Sequence, residues 1–243
     1  MSERFFLATP PVDGRAELVG DEARHLARVL RAAIGDAVAV FDGRGSEWPA
    51  RVTSIGRDRV GLDVGPPLAA AAPPLPLTLA VALPKGDRQK WLVEKLTELG
   101  CARLVPLVTT RGVAEATPAA IERLGRAAIE ACKQCGRTTL LEIAPPATLA
   151  AMLADRDPGA LALVADPAGE SLGTLLAGHT GAVLALVGPE GGFTAEELAA
   201  AEAAGWRRVS LAPHILRVET AAIALAAVMA AYAVFSKPSP EGH

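Results

Sequence analysis

The residues that decide the fold are Ala182–Glu197, which read AVLALVGPEGGFTAEE. The apolar run Ala182–Val187 has the length of a strand and predicts a buried one. The GPEGGF turn that follows contains three glycines, which let the backbone approach a ligand closely. Thr194 and Glu197 then form a capping-box pattern, which predicts a helix that ends at Gly205. A glycine-rich turn between strand and helix is typical of a ligand site, and a tight turn without a ligand is the alternative.

Strand and helix alternate in the same way along the second part of the chain. Apolar strands that alternate with helices predict an α/β fold with a parallel sheet covered on both faces. Ligands of such sheets bind at the carboxyl ends of the strands. The further predicted helices run from Asp87 to Leu99, from Thr117 to about Gln134, and from Glu219 or Thr220 to about Phe235. The further predicted strands are Leu77–Leu83, Arg103–Val108, Thr138–Ile143, Leu161–Ala165 and Arg207–Leu211.

A proline-rich segment separates this part from the residues before it. Gly65–Pro76 contains five prolines, which preclude a regular helix or a central strand. We therefore predict a linker and two domains, 1–71 and 72–243. The first domain contains short strand patterns separated by turn residues, which predict a small β-barrel. Its predicted strands are Arg4–Leu7, Ala37–Asp42, Trp48–Ile55 and Arg59–Val64.

One helix is predicted within the first domain, over Asp21–Ala33. Four apolar residues at helical spacing predict a buried face, and three arginines predict an adjacent basic face beside His25. A basic face suggests contact with RNA phosphates, and a solvated helix surface is the alternative. The apolar residues are Leu26, Val29, Leu30 and Ile34, and the arginines are Arg24, Arg28 and Arg31.

Composition excludes several classes of protein. Hydrophobic residues make up 51% of the 243 residues and charged residues 21%, which excludes disorder of the whole chain. The net charge of −3 disfavours a protein that coats DNA, but a local basic stripe is enough to bind one nucleic-acid site. The apolar run Ala221–Phe235 is 15 residues long and mostly alanine, which is short for a membrane span. The N-terminal residues have no signal-peptide core, so we expect a soluble cytoplasmic protein.

Two further segments carry candidate site residues. Leu211–Ala221, LAPHILRVETA, also follows a strand and opens a helix. Its Ile215 and Leu216 suit an apolar wall for an aromatic ligand, flanked by Arg217 and Glu219. The alternative is that Glu219 caps the helix and Arg217 is solvated.

The second of these segments is Leu83–Gly100, in which Lys85 and Arg88 lie in a loop after a predicted strand. They could hold a phosphate backbone, and a solvated basic turn is the alternative. Cys132 and Cys135 end a helix without a second ligand pair, so we interpret them as incidental thiols and expect no metal.

Several chemistries lack their usual signals. The sequence contains no G-x-x-x-x-G-K-[ST], no G-x-G-x-x-G after a strand and no G-x-S-x-G. Nucleotide hydrolysis, dinucleotide redox chemistry and serine hydrolysis are therefore disfavoured.

Five segments taken together resemble the RsmE family, which are SPOUT-class RNA methyltransferases. The resemblance implies a PUA-like β-barrel followed by a SPOUT α/β domain with a C-terminal trefoil knot, acting as a homodimer. It also implies transfer of a methyl group from S-adenosyl-L-methionine to N3 of a uridine in small-subunit (16S) ribosomal RNA, either as RNA or within the assembled subunit. The segments are HLARVLR at 25–31, PKGDRQKWLVEKLTELG at 84–100, EACKQCGR at 130–137, GPEGGF at 188–193 and LAPHILRVETA at 211–221.

The resemblance also implies three sets of site residues. The residues expected to bind the cofactor are Val164, Ala165, Asp166, Leu186, Gly188, Pro189, Glu190, Gly191, Gly192, Leu211, Ala212, Ile215, Leu216, Thr220 and Ala221. The residues expected to bind RNA are Arg4, Arg24, His25, Arg28, Arg31, Lys85, Arg88 and Arg137. Glu190 and Glu219 are the carboxylates available to take the N3 proton, and Arg217 is placed to stabilise negative charge on the base.

Two departures from the family pattern fall in the second loop, which commonly reads L-G-x-R-I-L-R-x-E-T-A. Here Ala212 stands for the glycine and His214 for the first arginine, whereas Arg217, Glu219 and Thr220 match. Two alternative functions stay open. One is a non-catalytic RNA-binding or ribosome-assembly protein, and the other is a SPOUT methyltransferase that acts on transfer RNA.

Overall fold

The computed structural model describes residues 3–68, 75–113 and 116–235. Contacts within the chain define two compact units. The first unit comprises Met1–Pro73 together with Ile129–Leu140, and the second comprises Pro74–Ala128 together with Leu141–His243. Part of the predicted linker, residues 69–74, lies outside the described residues.

The first unit is built on a curled sheet of five strands. Its order is β1-β3-β4-β5-β2, in which β1 and β3 are parallel and the other pairs are antiparallel. The predicted strands are present, and β2 is an addition that the sequence analysis missed. The elements are β1 (Arg4–Phe6), β2 (Arg15–Val19), α1 (Gly20–Arg24), β3 (Ala37–Phe41), β4 (Glu47–Ile55) and β5 (Arg59–Val64).

The predicted helix of the first unit is wrong in length and pitch. After α1 the chain forms a π-helical turn over His25–Val29, and Arg31 adopts a left-handed φ of 54°. The wider turn rotates the side chains away from α-helical spacing, so the predicted apolar face does not form. Leu26 is buried, whereas Val29 and Ile34 are 66% and 69% exposed.

The second unit contains the predicted parallel sheet, which confirms the fold class. Every pair in the order β12-β10-β11-β6-β7-β8 is parallel, and β9 also pairs with β7. The elements are β6 (Leu75–Val81), α2 (Arg88–Glu98), β7 (Cys101–Val108), α3 (Pro118–Cys135), β8 (Glu142–Ile143), β9 (Ala147–Thr148), α4 (Leu149–Ala154), β10 (Leu161–Ser171), α5 (Leu172–Leu176), β11 (Val183–Val187), α6 (Ala195–Ala203), β12 (Arg207–Ser210) and α7 (Val218–Phe235).

Several of these elements differ from prediction. The strand predicted from Thr138 is only β8, because residues 138–140 belong to the first unit, where the Gly45 amide donates to Thr138 O at 3.2 Å. Short α4 and α5 were not predicted. Helix α7 begins at Val218, so Glu219 lies within its first turn and does not cap it.

Strand β10 passes very close to β12. Ala165 and Glu170 both pair with Val209, because a bulge lies between them. A Cβ at Gly169 would lie 2.4 Å from the backbone nitrogen of Val209, so only glycine allows this approach.

Helix α7 packs its buried face on β6 and α2 within the core of the second unit. By length and composition alone it is apolar enough to cross a membrane, with a mean hydropathy of 1.9 over 18 residues. Core helices of soluble proteins pass the same test. The expectation that this helix does not span a membrane stays a prediction.

Candidate active site

A cleft lies at the carboxyl ends of β10, β11 and β12 and at the start of α7. Its empty space of about 700 Å³ includes a wide opening to solvent. Its walls are mostly apolar. The lining residues are Ala165, Asp166, Pro167, Val187, Gly188, Pro189, Glu190, Gly192, Phe193, Val209, Leu211, Ala212, His214, Ile215, Leu216, Val218 and Ala221.

Most of the residues expected to bind a cofactor meet in this cleft. Four of them do not line it. Val164 and Leu186 are core residues of β10 and β11, with 1% and 0% exposure, and Gly191 and Thr220 are exposed outside the lining. Those that line the cleft are Ala165, Asp166, Gly188, Pro189, Glu190, Gly192, Leu211, Ala212, Ile215, Leu216 and Ala221.

The glycines of GPEGGF serve different purposes. Gly192 has a φ of 66°, which side-chain-bearing residues rarely adopt. A Cβ at Gly188 would lie 3.0 Å from the ring of Phe193, so this position has little room for a side chain. Gly191 has neither restriction, since its Cβ would meet only the Arg111 side chain at 3.4 Å.

The glycine loop is fixed at its far end by the predicted capping box. The Glu197 amide donates to Thr194 Oγ1 at 3.1 Å, and the Thr194 amide donates to Glu197 Oε2 at 2.8 Å. The other carboxylate oxygen of Glu197 accepts from the Thr110 amide at 2.9 Å. Partial burial acts to raise the pKa of Glu197, but these amide hydrogen bonds favour the ionised form more and hold its pKa below the usual value.

Asp166, at the end of the regular part of β10, is held from two sides. Its Oδ1 accepts from Arg208 Nη2 at 2.8 Å and from the Ala168 amide at 2.7 Å. The hydrogen bond that Arg208 donates to Asp166 raises the pKa of Arg208, and Glu202 makes a smaller contribution. Asp166 therefore presents a fixed, charge-compensated carboxylate to the cleft.

The three predicted catalytic residues differ in their placement. Glu190 lines the cleft and is exposed, whereas Arg217 is exposed outside the lining. Glu219 is buried, with 4% exposure, and its Oε2 accepts no hydrogen bond in the described part of the chain. The guanidinium of Arg88 lies 3.5 Å from both Glu190 Oε1 and Glu219 Oε2, which joins the two carboxylates through one cation.

The two departures in the second loop have different consequences. Among the described residues only Asp13 and Arg31 combine a side chain with a left-handed φ, so Ala212 sits without strain where the family has glycine. His214 is exposed and lines the cleft, a placement that the sequence analysis did not predict.

The residues expected to bind RNA also separate into groups. Arg4 is a structural residue: its side chain is 12% exposed, pairs with Glu47 at 3.0 Å and donates to Cys132 O at 2.6 Å. We therefore leave Arg4 out of the RNA-binding set. Arg24 is exposed but pairs with Asp21 and Asp58, and those carboxylates raise its pKa.

The remaining members of that set vary in exposure. Arg28, Arg31 and Lys85 are exposed, and Arg28 donates to Arg57 O at 3.4 Å. His25 is half-buried against Phe5, with ring centroids 6.2 Å apart. Arg137 is half-buried in the first unit.

Arg111 is a site residue that the sequence analysis missed. Its Nη1 donates to the carbonyl oxygen of Gly191 at 2.7 Å. The available signal was its position just after β7, because carboxyl ends of parallel strands share one edge of the sheet. In residues 3–68, 75–113 and 116–235 no group of three or more metal-ligating side chains comes together.

Comparison with known proteins places both halves of the chain in one class. The RNA methyltransferase domain family matches residues 71–230, and the RNA methyltransferase PUA domain family matches residues 18–64. The fold and the cleft are those of an RNA methyltransferase with a PUA domain.

Individual relatives narrow this class. The ribosomal RNA small subunit methyltransferase E of Synechocystis is 33% identical over 90% of this chain and 74% of its own length. That of Mycobacterium bovis is 32% identical over 92% and 90%. The enzyme of the same name from Neisseria gonorrhoeae, solved with S-adenosylmethionine bound, superposes with a TM-score of 0.87 at 30% identity, over 94% of this chain and 97% of that one. The chain belongs to the ribosomal RNA small subunit methyltransferase E family, the RsmE family.

Proposed function

We propose that this protein methylates N3 of a uridine in small-subunit ribosomal RNA, with S-adenosylmethionine as methyl donor. The observation that carries the proposal is the cleft, which joins both signature loops of the family at one edge of the parallel sheet. Relatives that are 33% and 32% identical to this chain are named ribosomal RNA small subunit methyltransferase E, and a superposable relative binds S-adenosylmethionine.

The cleft suits S-adenosylmethionine chemically. Leu211, Ile215 and Leu216 offer an apolar wall for the adenine ring. The glycine loop brings backbone groups close to the cleft at Gly188 and Gly192. When bound, the cofactor supplies a methyl group already activated on a sulfonium, so the chain has to position the base and deal with its proton.

We assign the proton of uridine N3 to Glu190. Glu190 lines the cleft, whereas Glu219 is buried and faces Arg88. Glu219 then acts indirectly. It holds the guanidinium of Arg88 in place, and Arg88 in turn contacts Glu190. Arg217 remains our candidate for stabilising negative charge on the uracil oxygens as the proton leaves.

The proposed target base has to be accessible on its pairing edge. N3 of uridine is occupied in a base pair, so the nucleotide must be unpaired or flipped out. We propose that phosphates of the RNA are held by Arg24, Arg28 and Arg31, with His25, Lys85, Arg88 and Arg137 as further contacts. The solvent exposure of Arg28, Arg31 and Lys85 supports this assignment.

Several family properties complete the proposal. We propose residues 1–71 as the RNA-binding domain and 72–243 as the methyltransferase domain, whose chain forms the trefoil knot. The close backbone approach at Gly169 supports a tight crossing there. We also propose that the protein forms a homodimer, which the exposed apolar side chains of Val228, Val234 and Phe235 on α7 support. We propose that it acts in the cytoplasm, where ribosomal subunits are assembled.

Nucleoside analysis tests the reaction. The protein is incubated with S-adenosylmethionine and small ribosomal subunits from cells that lack the activity, and the digested RNA is examined by mass spectrometry for 3-methyluridine. We expect 3-methyluridine with the wild type and none with Ala212→Trp, which fills the cleft. Ala199→Trp, the same change at an exposed position on α6, is the matched control and should retain activity.

The other outcomes separate the alternatives. Cofactor binding without methylation of this RNA would move the substrate elsewhere, with transfer RNA as the next candidate. Absence of cofactor binding by the wild type would favour a non-catalytic RNA-binding protein.

A further inference from the structure

A buried amide in the second unit holds an exposed arginine in place. Gln89, in the first turn of α2, is only 6% exposed. Its Nε2 donates to Pro84 O at 2.9 Å, and its Oε1 accepts from Arg123 Nη2, on α3, at 3.1 Å. Burial of an amide is costly unless both of its ends are hydrogen-bonded. Here the amide oxygen of Gln89 accepts its hydrogen bond from the guanidinium of Arg123, which lies at the surface.

The charge of Arg123 is not compensated in the part of the chain that the structure describes. Gln89 is neutral, and no carboxylate in residues 3–68, 75–113 or 116–235 lies within ion-pairing distance of Arg123. Arg126 is different, since it lies one turn further along the same helix and pairs with Glu122 at 2.6 Å. Arg88 is also compensated, by Glu190 and Glu219.

A second cation adjoins the same anchor in the sequence. Lys85 directly follows Pro84, whose carbonyl oxygen accepts from Gln89. Lys85 is exposed and likewise has no carboxylate partner within the described ranges. An oriented guanidinium and an exposed ammonium that both lack a carboxylate partner are groups suited to bind a phosphate.

We infer that Arg123, oriented by Gln89 and accompanied by Lys85, forms a phosphate-binding site for the RNA substrate. This inference rests on the proposed function, because it takes the phosphate from the RNA that is methylated. Gln89 occupies one edge of the guanidinium, and the other N–H donors of Arg123 remain to hold phosphate oxygens. Gln89 is a positioning residue, and Arg123 and Lys85 are the groups that contact RNA.

Binding of small ribosomal subunits tests the site. Subunits from cells that lack the activity are titrated with wild type, Arg123→Ala, Gln89→Met and Arg126→Ala between 50 and 200 mM KCl. We expect Arg123→Ala to weaken binding about tenfold and to reduce the salt slope by about one. Gln89→Met should weaken binding about threefold, because the arginine stays but loses its anchor. Arg126→Ala removes the same charge from the same helix and should change affinity less than about twofold.

The readouts separate this inference from the proposed function. Affinity for S-adenosylmethionine and the melting temperature should be the same in Arg123→Ala and Arg126→Ala. Equal RNA affinities of these two variants would overturn the phosphate site, while 3-methyluridine formed by the wild type would still support the reaction. A wild type that binds subunits through Arg123 but forms no 3-methyluridine would overturn the reaction and leave the phosphate site standing.

Discussion

The guanidinium of Arg111 donates a 2.7 Å hydrogen bond to the carbonyl oxygen of Gly191. The preceding residue, Thr110, donates its amide to Glu197 at 2.9 Å. The loop that follows β7 is therefore hydrogen-bonded both to the glycine loop and to the first turn of α6. Two attachments of this kind restrict the conformations of the glycine loop before a ligand arrives, which lowers the entropic cost of binding.

Loss of the Arg111 contact should weaken cofactor binding. We expect Arg111→Ala to raise the Kd for S-adenosylmethionine about three- to tenfold, because one charge-assisted hydrogen bond to the loop is lost. Isothermal titration calorimetry measures this. Arg156→Ala is the matched control, since Arg156 also donates to a backbone carbonyl, that of Gly205, which does not line the cleft. Equal affinities in the two variants would show that the Arg111 contact does not prepare the loop.

The capping box should make stability depend on pH in the acid range. The pKa of Glu197 is lower in the folded protein than its usual value of about 4.3. Ionised Glu197 therefore stabilises the fold above that value, and the contribution is lost as the pH falls through the folded pKa. We expect Glu197→Gln to lower the free energy of unfolding by about 1 kcal/mol at pH 7 and by progressively less below pH 4.

Chemical denaturation between pH 3 and pH 7 checks this expectation. Glu122→Gln, which removes an exposed carboxylate from an ion pair on α3, should have a small effect throughout. A constant difference between wild type and Glu197→Gln across the range would contradict the assignment.

The two adjacent glycines of the loop should respond differently to alanine. Gly192→Ala places a side chain at a φ of 66° and should destabilise the protein by about 1 kcal/mol while weakening cofactor binding. Gly191→Ala introduces the same methyl group without that strain and should be within about 0.5 kcal/mol of wild type. Thermal denaturation and calorimetry of both variants measure the contrast, and the reverse order would refute it.

Arg88 and Glu219 should show strong coupling. Arg88→Ala leaves the carboxylate of Glu219 buried without its cation, which should cost about 2 kcal/mol of unfolding free energy. Glu219→Gln in the same protein should recover most of that loss. Glu190→Gln, at the exposed end of the same contact, should cost less than about 0.5 kcal/mol. A double-mutant cycle from denaturant unfolding gives the coupling energy, and additivity of Arg88→Ala and Glu219→Gln would rule the pair out.

Local patterns in the sequence predicted the parts of the fold that local chemistry determines. The strand before GPEGGF, the capping box at Thr194 and the parallel direction of the strands follow from periodicity, from the alternation of strand and helix, or from contacts a few residues apart. The same reasoning predicted a regular helix through Arg31. It did not predict the π-helical turn at His25, because apolar spacing does not report a change of helical pitch.

Contacts between residues distant in sequence could not be predicted in this way. Arg4 has the appearance of a surface arginine, yet its acceptor is a carbonyl 128 residues away. The attachment of Arg111 to Gly191 spans 80 residues. For the candidate site, the sequence predicted which loops meet but not that Glu219 is buried behind Arg88, because burial depends on the packing of α2 and α7.

The first unit includes residues 129–140, the end of α3 and the turn after it, although the linker lies near residue 70. The carbonyl of Cys132 accepts from Arg4, and Lys133 pairs with Glu22 at 3.1 Å. A gene fragment that ends at the linker would therefore encode an incomplete unit. Recombination at the linker between relatives would exchange a strand-rich unit without its helical end, and the hybrid would have to rebuild the contacts of Arg4 and Glu22 with a helix from another parent.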